Sequence, residues 1–139
     1  MLDWKTKTIG FLVSGFDAGA RHIVLGSVDR RALCGSLHGG TRWGIEGFLD
    51  SSIDSLRLEP RQCVECLGRF ERALVLSRVA YLGDATQAQL RKLTRPWLAE
   101  YRVGLVVEWL LEEGKIRPIG AQGFMIAPGG RTELEFATR

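Results

Sequence analysis

Cys63-Val64-Glu65-Cys66-Leu67-Gly68 is the point at which the chain changes character. Upstream, glycine is frequent and helical periodicity is weak; downstream, apolar residues recur at the spacing of a helix face. Two thiols three residues apart on a tight turn can hold one metal ion, and a tetrahedral zinc site then needs two more ligands. The sequence has 3 cysteines and 2 histidines. Cys34 is therefore the third candidate ligand, and His22 and His38 compete to be the fourth. A structural zinc of this Cys₃His kind would tie distant stretches together and add folding free energy. The alternative for Cys63 and Cys66 is a redox pair, but redox motifs open a helix after a strand, and no βαβ pattern surrounds this one. A catalytic zinc needs an open coordination position and a neighbouring base, and no His-x-Glu pattern supplies one.

An odd number of cysteines argues against a disulfide framework and for a reducing compartment, so the expected location is cytoplasmic. At 139 residues the chain fits one domain or two small lobes. Its 45% hydrophobic and 25% charged residues are ordinary for a globular protein. Glu108 interrupts the most apolar stretch, so nothing approaches the roughly 20 apolar residues of a membrane span. The first residues, Met1-Leu2-Asp3-Trp4-Lys5, are followed by no apolar run of the secretory type. The formal charge of +3 is uneven: residues 1–68 carry eight basic and eight acidic groups, residues 69–139 eleven and eight. That asymmetry is compatible with a nucleic-acid partner.

Residues 1–68 read as a β-rich lobe. Residues 8–13 have the composition of a strand and residues 14–19 that of the turn after it. A hairpin is expected between residues 21–25 and 30–34, turning near Val28. In that register His22 faces Cys34, and cross-strand neighbours have Cβ atoms about 4.5–5.5 Å apart. Residues 35–47, with glycine at five positions, read as a loop carrying His38 and Trp43, and residues 48–58 as a short amphipathic piece.

Residues 69–139 read as helical with a β-ribbon. Phe70, Leu74 and Tyr81, with Ala73, Leu76 and Ala80, predict a first helix after Gly68, ended by Gly83. Thr86-Gln87-Ala88-Gln89 matches the capping box, so a second helix runs to about Thr94 with Leu90 and Leu93 inward. Pro96 suits the first turn of a third helix that continues to Glu113 and stops at Gly114. Residues 115–119 and 124–127 form two strands around a glycine turn, and residues 129–139 read as a loop with a short strand or frayed tail. The fold class is α+β.

Helix, helix, helix and β-ribbon at these lengths resemble a winged helix-turn-helix from Leu74 to Pro128. The landmarks are the Gly83 break, Gln89-Leu90 in the second helix, and the Leu110-Leu111-Glu112-Glu113-Gly114-Lys115-Ile116 run entering the wing. The arrangement His22…Cys34-Gly35…Cys63-x-x-Cys66-Leu67 also resembles a zinc module of small actinobacterial and actinophage proteins. That resemblance favours His22 over His38.

The winged-helix resemblance implies double-stranded DNA as partner, with the third helix in the major groove and phosphates held by the second helix and the wing. Arg91, Lys92, Arg95, Arg102, Lys115 and Arg117 would hold them. Asparagine is absent, which leaves Gln87, Gln89 and Gln122 as amide base readers. The third helix argues otherwise. Its most polar arc is Glu100, Gly104, Glu108 and Glu112, and carboxylates repel phosphate. The rest is apolar nearly all round, which predicts a covered helix. Trp97 and Trp109 read as packing residues, Trp4 and Trp43 as packing residues or exposed anchors, and Val107 with Leu111 would suit a homodimer seam. Two functions therefore stand. One is a zinc-containing DNA-binding regulator of transcription, from a phage or a bacterium. The other is a non-enzymatic module docking on a host protein complex, in the manner of a phage inhibitor.

Overall fold

The computed structural model of the chain describes residues 11–14, 21–24, 32–34, 44–48 and 52–138. The chain divides into two compact units, Met1–Phe70 and Glu71–Arg139. Its architecture is α+β, with helices and two small antiparallel sheets. Among the described residues no helix is long and apolar enough to cross a membrane.

The first unit is built on strands β1 (Phe11–Ser14), β2 (Arg21–Val24) and β3 (Gly44–Phe48), ordered β2-β1-β3. β1 is the centre, pairing Val13 with His22 on one side and Val13 with Ile45 on the other. The expected hairpin partner of β2, residues 30–34, is not a strand where it is described: residues 33–34 form a turn, and the strand partner of β2 is β1. One contact of the expected register survives, since the Leu33 N–H donates to the Ile23 carbonyl at 3.0 Å. Residues 44–48 form β3, where a loop was expected. Its register slips between Leu12 and Val13, which pair with Gly47 and Ile45 and skip Glu46. Glycine beside a bulge of this kind is compatible with a strand. His38, Trp4, Trp43 and the expected turn at residues 26–29 lie outside the described residues.

Helix α1 (Asp54–Arg57) is one turn, opened by the Asp54 N–H donating to Ser52 Oγ at 3.2 Å. It buries Ile53 and Leu56. Helix α2 (Val64–Leu82) follows and begins earlier than the sequence predicts. Its ladder starts with the Leu67 N–H on the Cys63 carbonyl at 3.3 Å, so Cys66 and Gly68 are helical. A Cβ at Gly68 would meet nothing within 4 Å. That glycine is an ordinary helical position, at a propensity cost of about 1 kcal/mol.

In the second unit α2 ends at Gly83, which has φ +78° and donates its N–H to the Val79 carbonyl at 2.9 Å. Strand β4 (Ala85–Thr86) leads into α3 (Gln87–Leu93) through the expected capping box. Gln89 N–H donates to Thr86 Oγ1 at 3.2 Å, and Thr86 N–H to Gln89 Oε1 at 2.9 Å. Helix α4 (Glu100–Glu112) starts four residues after Pro96, whose peptide bond to Arg95 is cis. The late start has a packing reason. Continued back at 100° per residue, the helix would place Trp97 and Leu98 each about 130° from the face formed by Val103, Val106, Val107 and Leu110. In the turn both are buried, and the buried Arg78 lies 6.0 Å over the Trp97 ring while donating to the Leu93 carbonyl at 3.0 Å.

α4 closes in a Schellman motif. Gly114, at φ +71°, donates to the Leu111 carbonyl at 3.1 Å, and Lys115 to that of Leu110 at 2.8 Å. Strands β5 (Ile116–Ile119) and β6 (Gly123–Ile126) form the expected ribbon, and β4 pairs with β6 to give the order β4-β6-β5. The last stretch is a helix, α5 (Pro128–Thr138), where a loop and frayed tail were expected. Gly130 is there for a close approach: a Cβ would lie 2.1 Å from the Lys115 carbonyl. Arg72 holds α5 by a forked pair to Glu133, at 2.8 and 2.7 Å, and also pairs with Glu113.

Candidate metal centre

His22 reaches the centre from β2, where its backbone pairs with Val13 of β1. The Leu33–Ile23 hydrogen bond then sets the following residue, Cys34, beside it, with Sγ 3.4 Å from His22 Nδ1. Cys63 immediately precedes α2 and Cys66 sits in its first turn. Cys66 is fully buried, its Sγ 3.5 Å from the same His22 Nδ1. One ligand atom from each of His22, Cys34, Cys63 and Cys66 falls within 4.8 Å of every other.

The two sulfur–nitrogen distances suit a tetrahedron. With metal–sulfur bonds of about 2.3 Å and metal–nitrogen bonds of about 2.0–2.1 Å, the sulfur–nitrogen edge is about 3.6 Å. The two sulfur–nitrogen separations here are 3.4 and 3.5 Å. None of the three cysteines is in a disulfide. Burial pushes the Cys66 thiol well above the usual thiol range; the neighbouring Cys34 and Cys63 raise it further, while backbone hydrogen bonds at Ile23 and Cys34 pull the other way. A cation among the three sulfurs would reverse that balance by favouring thiolate.

The Cys-x-x-Cys pair does open a helix, the placement associated with redox pairs. A dithiol has no need of a third sulfur and an imidazole nitrogen converging on it, whereas a four-ligand metal does. The helix start serves the metal reading equally, since unpaired N–H groups and the positive end of the dipole stabilise thiolates there.

The basic residues selected from the sequence lie in the second unit in different states. Arg91 and Lys92 are exposed in the last turn of α3, and Arg117 is exposed on β5. Arg95 is exposed and pairs with Glu100. Lys115 is half-buried, 3.9 Å from Glu133. Arg102 has its fork occupied: Nε and Nη2 each lie 2.9 Å from the carboxylate of Glu71, which is buried to 1% exposure.

Sequence reasoning missed the outer face of α4. The helix is not covered all round: Tyr101 is 63% exposed, Leu105 37% and Trp109 39%. The Arg102 guanidinium lies 5.3 Å over the Trp109 ring. The signal was available in the spacing, because 101, 105 and 109 repeat at four residues on the arc that also carries Glu108 and Glu112. No known protein family, curated protein or solved structure matches the chain.

Proposed function

We propose that the chain is a zinc-stapled winged-helix module that works by docking on another protein. The order α2, β4, α3, α4, β5, β6, with β4 against β6, supports the winged-helix reading of the second unit. The converging Cys₃His donors support a structural zinc in the first. The observation that carries the functional reading is the outer face of α4. In a DNA-binding winged helix this face meets the major groove. Here it presents Tyr101, Leu105 and Trp109 among Glu108 and Glu112, and its one cation, Arg102, is bound to Glu71. Carboxylates repel phosphate, whereas exposed aromatic side chains are favoured anchors of protein interfaces.

A duplex-DNA function is the second reading, favoured by the exposed Arg91, Lys92 and Arg117 on the second helix and the wing. Fluorescence anisotropy with a mixed-sequence duplex at 50 and 200 mM salt separates the two. The docking reading expects weak or absent binding at both. Tight binding that falls steeply with salt and is lost in Arg91→Glu with Lys92→Glu would replace it with the DNA reading. For the metal, elemental analysis should find one zinc per chain, absent from both Cys63→Ser and His22→Ala.

A further inference from the structure

The outer face of α4 has a chemistry specific enough to describe what it fits. Around the helix, at 100° per residue, the order is Glu108, Tyr101, Glu112, Leu105, Trp109, Arg102. The stripe from Tyr101 to Trp109 is about 12 Å long, two turns of helix. Its carboxylates stand where an isolated helix does not favour them. Glu108 and Glu112 are like charges four residues apart, in the half of α4 nearest the negative end of its dipole. The last turn of α4 contains no basic residue. Neither glutamate has an ion-pair partner among the described residues. The face is therefore both apolar and electrostatically uncompensated.

One side chain on it is already held. Glu71, buried, grips Arg102 with both oxygens, and Arg102 lies 5.3 Å over the Trp109 ring. An indole positioned in this way has less rotamer freedom to lose when a partner arrives, which is how preorganised anchors gain affinity.

Building on the protein-docking reading above, we propose that this face receives a basic amphipathic helix of another protein, with Trp109 as the preorganised anchor and Glu108 and Glu112 as the groups that select positive charge. Apolar residues at i, i+3 or i+4, and i+7 of the incoming helix match the Tyr101–Leu105–Trp109 stripe. Lysine or arginine flanking them meets the two glutamates and can lie over the exposed rings. A second copy of this chain offers no such stripe on its described helices: on α2 the exposed apolar residues Val64 and Tyr81 lie at opposite ends. The exposed part of α3 is basic, with Ala88, Gln89, Arg91 and Lys92, and has no large apolar side chain. On α5 the exposed Phe136 stands beside Glu135. Two α4 faces set against each other would bring four carboxylates into one seam.

The test is a selection with the zinc-loaded 139-residue chain against a displayed library of 16-residue amphipathic helices. Lysine, glutamine and glutamate are randomised at the flanking positions, and Trp109→Ala is the counter-target. The expected result is enrichment of net-positive helices. The best of these should bind at least tenfold more weakly to Trp109→Ala and to Glu108→Lys with Glu112→Lys, and more weakly as salt rises, with circular dichroism unchanged. Enrichment of neutral or acidic helices that still need Trp109 would overturn the charge assignment and leave the docking reading standing. Failure of any helix to prefer the wild-type protein over Trp109→Ala would overturn both. A Trp109-dependent dimer in sedimentation equilibrium would make the occupant a second copy, which also overturns the proposal.

Discussion

The two units meet the same requirement, a single packed arrangement, with different means. In the first the described strands are four, four and five residues long and α1 has four residues. In the second, four valines and leucines of α4 join Leu74, Val79, Leu90 and Leu98 in burial, and caps, glycine stops and forked ion pairs finish the helix ends. Short strands bury little apolar surface per residue ordered, so a cross-link from a metal gains importance there. Helices that close their own hydrogen bonds and share an apolar core can stand without one.

The largest test of this contrast is removal of the zinc proposed for the His22, Cys34, Cys63 and Cys66 site. Zinc bound by such a ligand set contributes about 10–16 kcal/mol of apparent free energy near neutral pH. Stripping it with a strong chelator, or changing Cys66 to Ser, should abolish hydrogen-exchange protection at residues 21–24 and 63–67 and leave it at residues 103–110. Simultaneous loss in both units would break the comparison. Acid should act in the same direction. Burial and the neighbouring thiols favour the protonated form of Cys66. Metal binding must therefore displace its proton, and affinity falls by about tenfold per pH unit for each proton displaced as pH drops.

A smaller effect is expected from Arg102→Ala. It leaves the Glu71 carboxylate buried without its forked partner, a loss of about 3–5 kcal/mol by urea unfolding. Zinc content should not change, which locates the damage in the second unit. Gly130→Ala comes next, because its methyl would run into the Lys115 carbonyl; overpacking of this kind costs about 1–3 kcal/mol. The smallest is Thr86→Ala, which removes the cap of α3 and should cost about 1 kcal/mol in thermal unfolding.

The parts that were legible in the sequence are those with local causes. The capping box at Thr86, the stop at Gly83 and the turn from Gly114 into the ribbon each depend on residues a few positions apart. The convergence of His22, Cys34, Cys63 and Cys66 was legible for a different reason: ligand chemistry restricts the choice to three cysteines and one of two histidines. What escaped depends on long-range partners. That β2 takes β1 as a strand partner is a pairing the expected hairpin did not include. Gly130 announces a loop until the Lys115 carbonyl beside it is seen. Arg102 reads as a free cation until Glu71, 31 positions away, is found gripping it.

All four candidate ligands precede residue 67, which has a consequence for the order of events during synthesis. Chains emerge N-terminus first, at about 5–20 residues per second, and domains tend to fold as units. The first unit therefore has its full ligand set while residues 67–139 still need roughly 4–15 s to be made. Cys63 and Cys66, being neighbours, can capture a metal on emergence, and Cys34 and His22 are already waiting. Metal supply at the ribosome, rather than stability of the finished chain, would then set the yield of folded protein.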